Sequence, residues 1–257
     1  MDEPVERLLA WLYRDELRHS RLIWRLESDL RRDPPWTPDG LWLDPAGAAL
    51  VDLSDHPTLG GGRPWFQAAA DDGAALELLA ALRLPEECEI LLDQAFRPVI
   101  ECLGAVESAG ALEVWACAPG ELGEAALPFE PTRLTIRHRA LAAADDWRAD
   151  DLDEECDESR GGVRWAIIRE DRLAARLLVQ PVSAHVAEIA DLHVAEDRRR
   201  RGYGAGLVQA VVRRLHERGL TVTYSVHPSN AASRAVAAAV GFTPRFTWER
   251  YVVRRKA

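Results

Sequence analysis

Over residues 4–31 the apolar positions Leu8, Leu9, Leu12, Leu22, Ile23, Leu26 and Leu30 recur among charges, which predicts one helix or a broken pair. Pro34-Pro35 ends that pattern. The stretch LWLDPAGAALVDL reads as a hairpin turning at Asp44 to Gly47, and DDGAALELLAALRL as a helix begun by Asp71 or Asp72. CEILL, AFRPVIECLGAVESAG and ALEVWACAP then predict strand, helix and strand, the order of an α/β unit. Residues 118–131, rich in Gly, Pro and Glu, form the best linker candidate. TLGGGRPWF reads as a loop.

The second half opens with RLTIRH, an alternating strand with Leu134 and Ile136 on one face, and a helical stretch follows around residues 141–158. Three antiparallel strands come next, ending in VAEIADLHV, with turns near Glu170-Asp171 and Val182 to Ala184. In LVQAVVRRLHERG, residues Leu207, Val211, Val212 and Leu215 share a helical face and Gly219 stands at the C-terminus. A strand (LTVTYSV), a short alanine-rich helix (SNAASRAVAAAV) and a last strand (FTPRFTWERYVV) complete the chain. A domain boundary at 130/131 gives two α/β domains, 1–130 and 131–257.

Charge sharpens that division. Residues 1–131 carry 25 acidic residues against 10 arginines, whereas residues 132–257 carry 17 against 22 basic ones, within a net charge of -10. This asymmetry argues against a nucleic-acid footprint over the whole chain and favours an anionic small ligand on the second half. The four cysteines are scattered, with no Cys-x-x-Cys pair and no histidines at ligand spacing, so neither zinc nor a disulfide framework is expected. No apolar run is long enough for a membrane span, and the acidic N-terminus lacks the features of a secretory signal. A cytoplasmic monomer or homodimer is the expectation.

The chemistry concentrates after the third of those strands, in DLHVAEDRRRRGYGAG. Glycines at 202, 204 and 206 let the backbone approach a ligand closely, and the first amides of the following helix have no intrahelical acceptor. Such a helix start suits a phosphate or pyrophosphate, with arginines adding positive charge around it. A dinucleotide fold would need Gly-x-Gly-x-x-Gly after a first parallel strand, and a P-loop would need Gly-Lys-Ser/Thr; neither is present. Arg199-Arg200-Arg201-Gly202-Tyr203-Gly204 instead fits Arg/Gln-x-x-Gly-x-Gly/Ala.

With that motif, and with Asn230 followed eleven residues later by Gly241-Phe242, residues 132–255 resemble the GNAT superfamily of acyl-CoA-dependent N-acetyltransferases. The resemblance implies an α/β fold with a mixed, mostly antiparallel sheet flanked by helices, preceded by a smaller α/β domain. That first domain resembles the degenerate half of tandem GNAT proteins. Acetyl-CoA would then lie in a gap between the strand ending Leu192-His193-Val194 and the strand 220–226. Its pantetheine would pair with the backbone of Leu192, His193 and Val194, and its pyrophosphate would meet Arg199, Arg200, Arg201, Gly202, Tyr203, Gly204 and Ala205. Asn230 would contact the cofactor or cap the next helix.

Acetyl transfer needs a base for the amine, polarisation of the thioester carbonyl and a proton for the leaving thiolate. The backbone amide near Val194 would polarise the carbonyl. Glu188, thirteen residues before Arg201, resembles in position the glutamate of the histone-acetylating branch; otherwise it is an ordinary strand carboxylate. Asp191 and His193 are fallback bases, which strand alternation puts on the opposite face. Where the family often has a tyrosine, four residues before Gly-Phe, this chain has Ala237, so Ser233, Tyr224 or His227 must substitute, or solvent. The stretch 145–158, nine of whose fourteen residues are acidic, would favour a cationic amine acceptor if it lined the site, or is a solvated charge run. No metal is expected. A non-catalytic acyl-CoA-binding module is the competing reading.

Overall fold

The computed structural model describes residues 3–31, 37–38, 40–56, 63–123, 130–144 and 162–256. The chain forms two compact units, residues 1–113 with 246–257 and residues 114–245. This differs from a boundary at 130/131 at two places: residues 114–130 belong with the second unit, and the C-terminal strand returns to the first. Its Trp248 to Arg254 pair antiparallel with Asp93 to Glu87, and Tyr251 and Val253 are buried with Cys88, Ile90 and Leu92 in the core of that unit.

Unit 1 begins with α1 (Glu3–Leu12) and α2 (Glu16–Leu30), the broken pair that the apolar spacing allows, and their Leu8, Leu12, Leu22, Ile23 and Leu26 enter one core cluster. Strands β1 (Leu41–Asp44) and β2 (Ala48–Asp52) make the expected hairpin. Then β3 (Trp65–Ala70), α3 (Gly73–Arg83) and β4 (Glu87–Asp93) form a crossover, since β4 pairs parallel with β3. The helix expected over AFRPVIECLGAVESAG stops early: α4 covers only Arg97–Glu101, and Gly104 starts β5 (Gly104–Cys117). A Cβ at Gly104 would sit 2.0 Å from the carbonyl oxygen of Arg254, so only glycine lets these backbones meet there.

Unit 2 holds β6 (Thr132–Arg133), α5 (Arg139–Ala144), β7 (Val163–Arg169), β8 (Arg172–Pro181), β9 (Val186–Val194), α6 (Tyr203–Glu217), β10 (Thr221–Val226) and α7 (Ala231–Val240). Strand β11 runs from Thr243 to Arg255. The predicted strand RLTIRH is only two residues long, because Thr135 and His138 close a capping box that turns Ile136–His138 into a 3-10 turn. The predicted turn at Glu170-Asp171 places both residues at positive φ, 53° and 52°, as a two-residue hairpin turn requires. Strands lie in the order β10-β9-β8-β7-β6, antiparallel apart from the β9–β10 pair, which makes the sheet mixed. On one face, α6 buries Leu207, Val208, Val211 and Val212 against Ile167, Leu177, Ala187 and Ile189. The acidic stretch 145–158 lies outside the described residues.

Candidate acetyl-CoA site

The parallel pairing of β9 with β10 runs from Val186–Thr221 to Ile189–Tyr224 and stops. Strand β9 continues five residues further, held on its other side by β8, so a gap opens beside Ala190 to Val194. The amide of Ala195 donates to the carbonyl of Ala174 at 3.1 Å, on the β8 side. Alternation therefore turns the peptide groups of Val194 and Leu192 toward the gap. The Val194 carbonyl there already accepts the Arg199 Nε–H at 3.2 Å.

One irregularity decides which side chains accompany that gap. Between Arg176–His193 and Leu178–Ala190 the register shifts, with one extra residue on β9. Asp191 takes up the bulge at φ 50°, and its carboxylate accepts a hydrogen bond from Arg176 Nη1 at 3.1 Å. A bulge reverses the alternation beyond it. His193 consequently shares the face of Glu188, contrary to simple alternation, while Leu192 and Val194 turn to the α6 side and approach Gly204. Glu188 lies across from Gln180 on β8 and Thr223 on β10, half-buried.

The loop into α6 matches its motif in conformation as well as in sequence. Arg200 has φ 59° and Gly202, the N-cap, has φ 79°, two left-handed residues in one short turn. No side chain caps α6, and its first intrahelical bond runs from the Gly206 amide to the Gly202 carbonyl at 2.9 Å. The amides of Gly204 and Ala205 therefore precede any intrahelical acceptor. Gly204 itself is buried, and a Cβ there would lie 3.2 Å from Val194 Cγ2, so this glycine sets the close packing of α6 on β9. The four arginines have separate fates. Arg198 pairs with Glu170 at 2.6 Å, which holds its pKa above the usual guanidinium range, and Arg199 is tied to Val194. Arg200 and Arg201 are exposed beside Gly202 and half-buried Tyr203.

On the α6 side of the gap, Tyr224 is buried against Phe242 at 6.0 Å between centroids. Burial pushes its phenol above the ordinary range, against a hydrogen bond shared with the Ser233 side chain. Ala237 is fully buried in the same core. Asn230 is the N-cap of α7, its Oδ1 accepting the Ser233 amide at 3.0 Å, and this holds Ser233 at the helix start. His227 instead turns to Ser229, at 2.7 Å, on the surface. Sequence reasoning did not see the bulge. Its one trace is an aspartate, a residue that tolerates left-handed backbone, at position 191.

The profile of the acetyltransferase (GNAT) family matches residues 132–242. Those residues are a GNAT acetyltransferase domain. The family's co-substrate is acetyl-CoA. Among solved structures, the chain resembles a GCN5-related N-acetyltransferase from Kribbella flavida, with 17% identity, TM-score 0.54 and coverage of 92% of this chain and 96% of that one. An X-ray structure of a Drosophila protein matches with 17% identity and TM-score 0.59 over 98% and 96% of the two chains. A tandem GNAT protein from the clavulanic acid biosynthesis pathway matches with 14% identity and TM-score 0.53 over 100% and 96%. At these identities the likeness is one of fold, and the tandem GNAT supports a two-domain arrangement. No curated protein matches the sequence. Among the described residues no helix is long and apolar enough to cross a membrane, and no group of three metal-ligating side chains occurs.

Proposed function

We propose that the chain is an acetyl-CoA-dependent N-acetyltransferase that acts on a primary amine through unit 2. The observation that carries this reading is the end of β9–β10 pairing at Ile189–Tyr224 directly before a glycine-started, side-chain-uncapped helix. The residues fit the ligand. Amides at the start of α6, with Arg200 and Arg201 beside them, suit a pyrophosphate, and the peptide groups of Leu192 and Val194 suit an amide-bearing arm lying in the gap. Bound acetyl-CoA supplies the acetyl group as a thioester.

The chain's own residues then divide the work between two faces of the sheet. Glu188 accepts a proton from the ammonium form of the acceptor, leaving the amine lone pair free to attack. The Val194 N–H donates to the carbonyl oxygen as negative charge develops on it. On the other face the Ser233 hydroxyl, beside Tyr224, passes a proton to the departing sulfur, and the second proton released by the acetylated nitrogen, carried by solvent, restores it. Direct transfer within a ternary complex needs no acylated residue. The acidic composition of residues 145–158 favours a cationic acceptor.

Ala237 favours a second reading, an acyl-CoA-binding module without turnover, because the usual tyrosine is replaced by a buried methyl group. Calorimetric titration with acetyl-CoA, followed by an amine screen that detects free thiol, separates the two. Turnover on an amine supports the enzyme. Binding without turnover on any amine supports the module, and no binding contradicts both.

A further inference from the structure

At the other end of α6, about 20 Å from its glycine start at 1.5 Å per residue, unit 2 holds a second pocket of about 280 Å³. Its floor is apolar, made by Trp165, Val179, Val211 and Leu215 between α6 and the sheet. Arg133 on β6, Arg214 on α6 and Arg218, the residue that ends α6, line it as well, and Arg133 and Arg218 are exposed. Arg214 stacks over the Trp165 ring at 5.5 Å and pairs with Glu130 at 2.6 Å. A guanidinium carries five N–H donors, so partners already in place do not exhaust it.

We propose that this pocket binds a small amphipathic carboxylate, its apolar body on Trp165 and Leu215 and its head among the three arginines. The volume sits at the low end of small-molecule pockets, roughly 300–1,000 Å³, which limits the ligand to a compact one. Charge complementarity fixes the sign of the head, because a planar fork binds carboxylates in a bidentate manner. A neutral body of the same shape would gain only the apolar contact. The pocket faces the start of β9 and β10, through Val186 and Leu220, whereas the gap described above lies at their far ends. It is therefore a separate site, and it does not depend on the acetyltransferase reading.

The test uses octanoate as probe, titrated calorimetrically into the full chain with and without saturating CoA, and octanamide as the uncharged comparator. The expected result is one octanoate per chain, unaffected by CoA, with octanamide at least about tenfold weaker. The Arg133→Gln/Arg214→Gln double variant, in which both changes are at side chains reaching the surface, should weaken octanoate by about tenfold or more while acetyl-CoA affinity stays unchanged. Displacement by CoA, equal affinity for octanamide, no effect of the double variant, or no binding at about 1 mM octanoate would overturn the proposal.

Discussion

The two units contain the same local construction, a strand, a helix and a parallel strand, and they finish it in opposite ways. In unit 1 the β3–β4 pairing runs from Trp65–Glu89 to Gln67–Leu91 and then ends, just as β9 and β10 part after Ile189–Tyr224. The opening in unit 1 is closed by its own side chains. His19, 1% exposed, and Arg18 from α2 line it with Leu92, Asp93 and Phe96, leaving about 10 Å³, room for a single water. Arg18 pairs with Asp93 at 3.3 Å. The helix start is closed as well, because Asp72 caps α3 by accepting the Ala75 amide at 2.9 Å. A carboxylate already occupies the end where an anion would bind. In unit 2 the same end has a left-handed glycine, no side-chain cap and exposed arginines. One residue before the last strand pair stands Glu188 in unit 2 and buried Phe66 in unit 1. The comparison teaches that a split strand pair becomes a ligand site only if the chain leaves both the gap and the helix amides unfilled.

The comparison breaks most severely at Gly204. Gly204→Glu would drive a side chain into Val194 and place a negative charge at the α6 start, a loss of about 100- to 1,000-fold in affinity that should leave no acetyl-CoA binding detectable by calorimetry. Overpacking without the charge is read from Gly204→Ala, whose Cβ meets Val194 at 3.2 Å and which should lose less. Glu188→Gln should lower kcat by about 100-fold with acetyl-CoA affinity intact, the low end of what a general base supplies. A fully active variant would remove Glu188 from the chemistry.

In unit 1 the expected effects concern stability alone. Asp72→Ala should cost about 1 kcal/mol, seen as a lower Tm, and leave acetyl-CoA binding unchanged. The smallest effect is a pH dependence. Burial lowers the His19 pKa below 6.5, against the hydrogen bond that its Nδ1–H donates to the Leu12 carbonyl and the nearby charge of Asp71. The unfolded chain therefore binds a proton more readily than the folded one, and stability falls as pH drops below about 6.5. His19→Phe should flatten that part of the Tm–pH curve relative to the parent protein.

Much of unit 2 was legible because its elements are long, periodic and punctuated: the hairpin at Glu170-Asp171, the α6 face and the glycine loop each carry a local signal. What escaped is nonlocal. The bulge at Asp191 depends on the register of β8 and it alone moves His193 to the face of Glu188. The return of β11 to unit 1 is a pairing between residues more than 140 positions apart, for which no local pattern exists. Gly104–Gly110 read as helix from spacing, yet its neighbour Arg254 requires a strand. At the site, Ser233 was among the candidate substitutes, but its link to Tyr224 across α7 and β10 needed three dimensions.

The stoichiometry of acetyl-CoA binding to the full chain tests the contrast between the units most directly. A calorimetric titration should give one acetyl-CoA per chain, and Gly204→Glu should abolish it. Two acetyl-CoA per chain, or a single one that survives Gly204→Glu, would contradict the account.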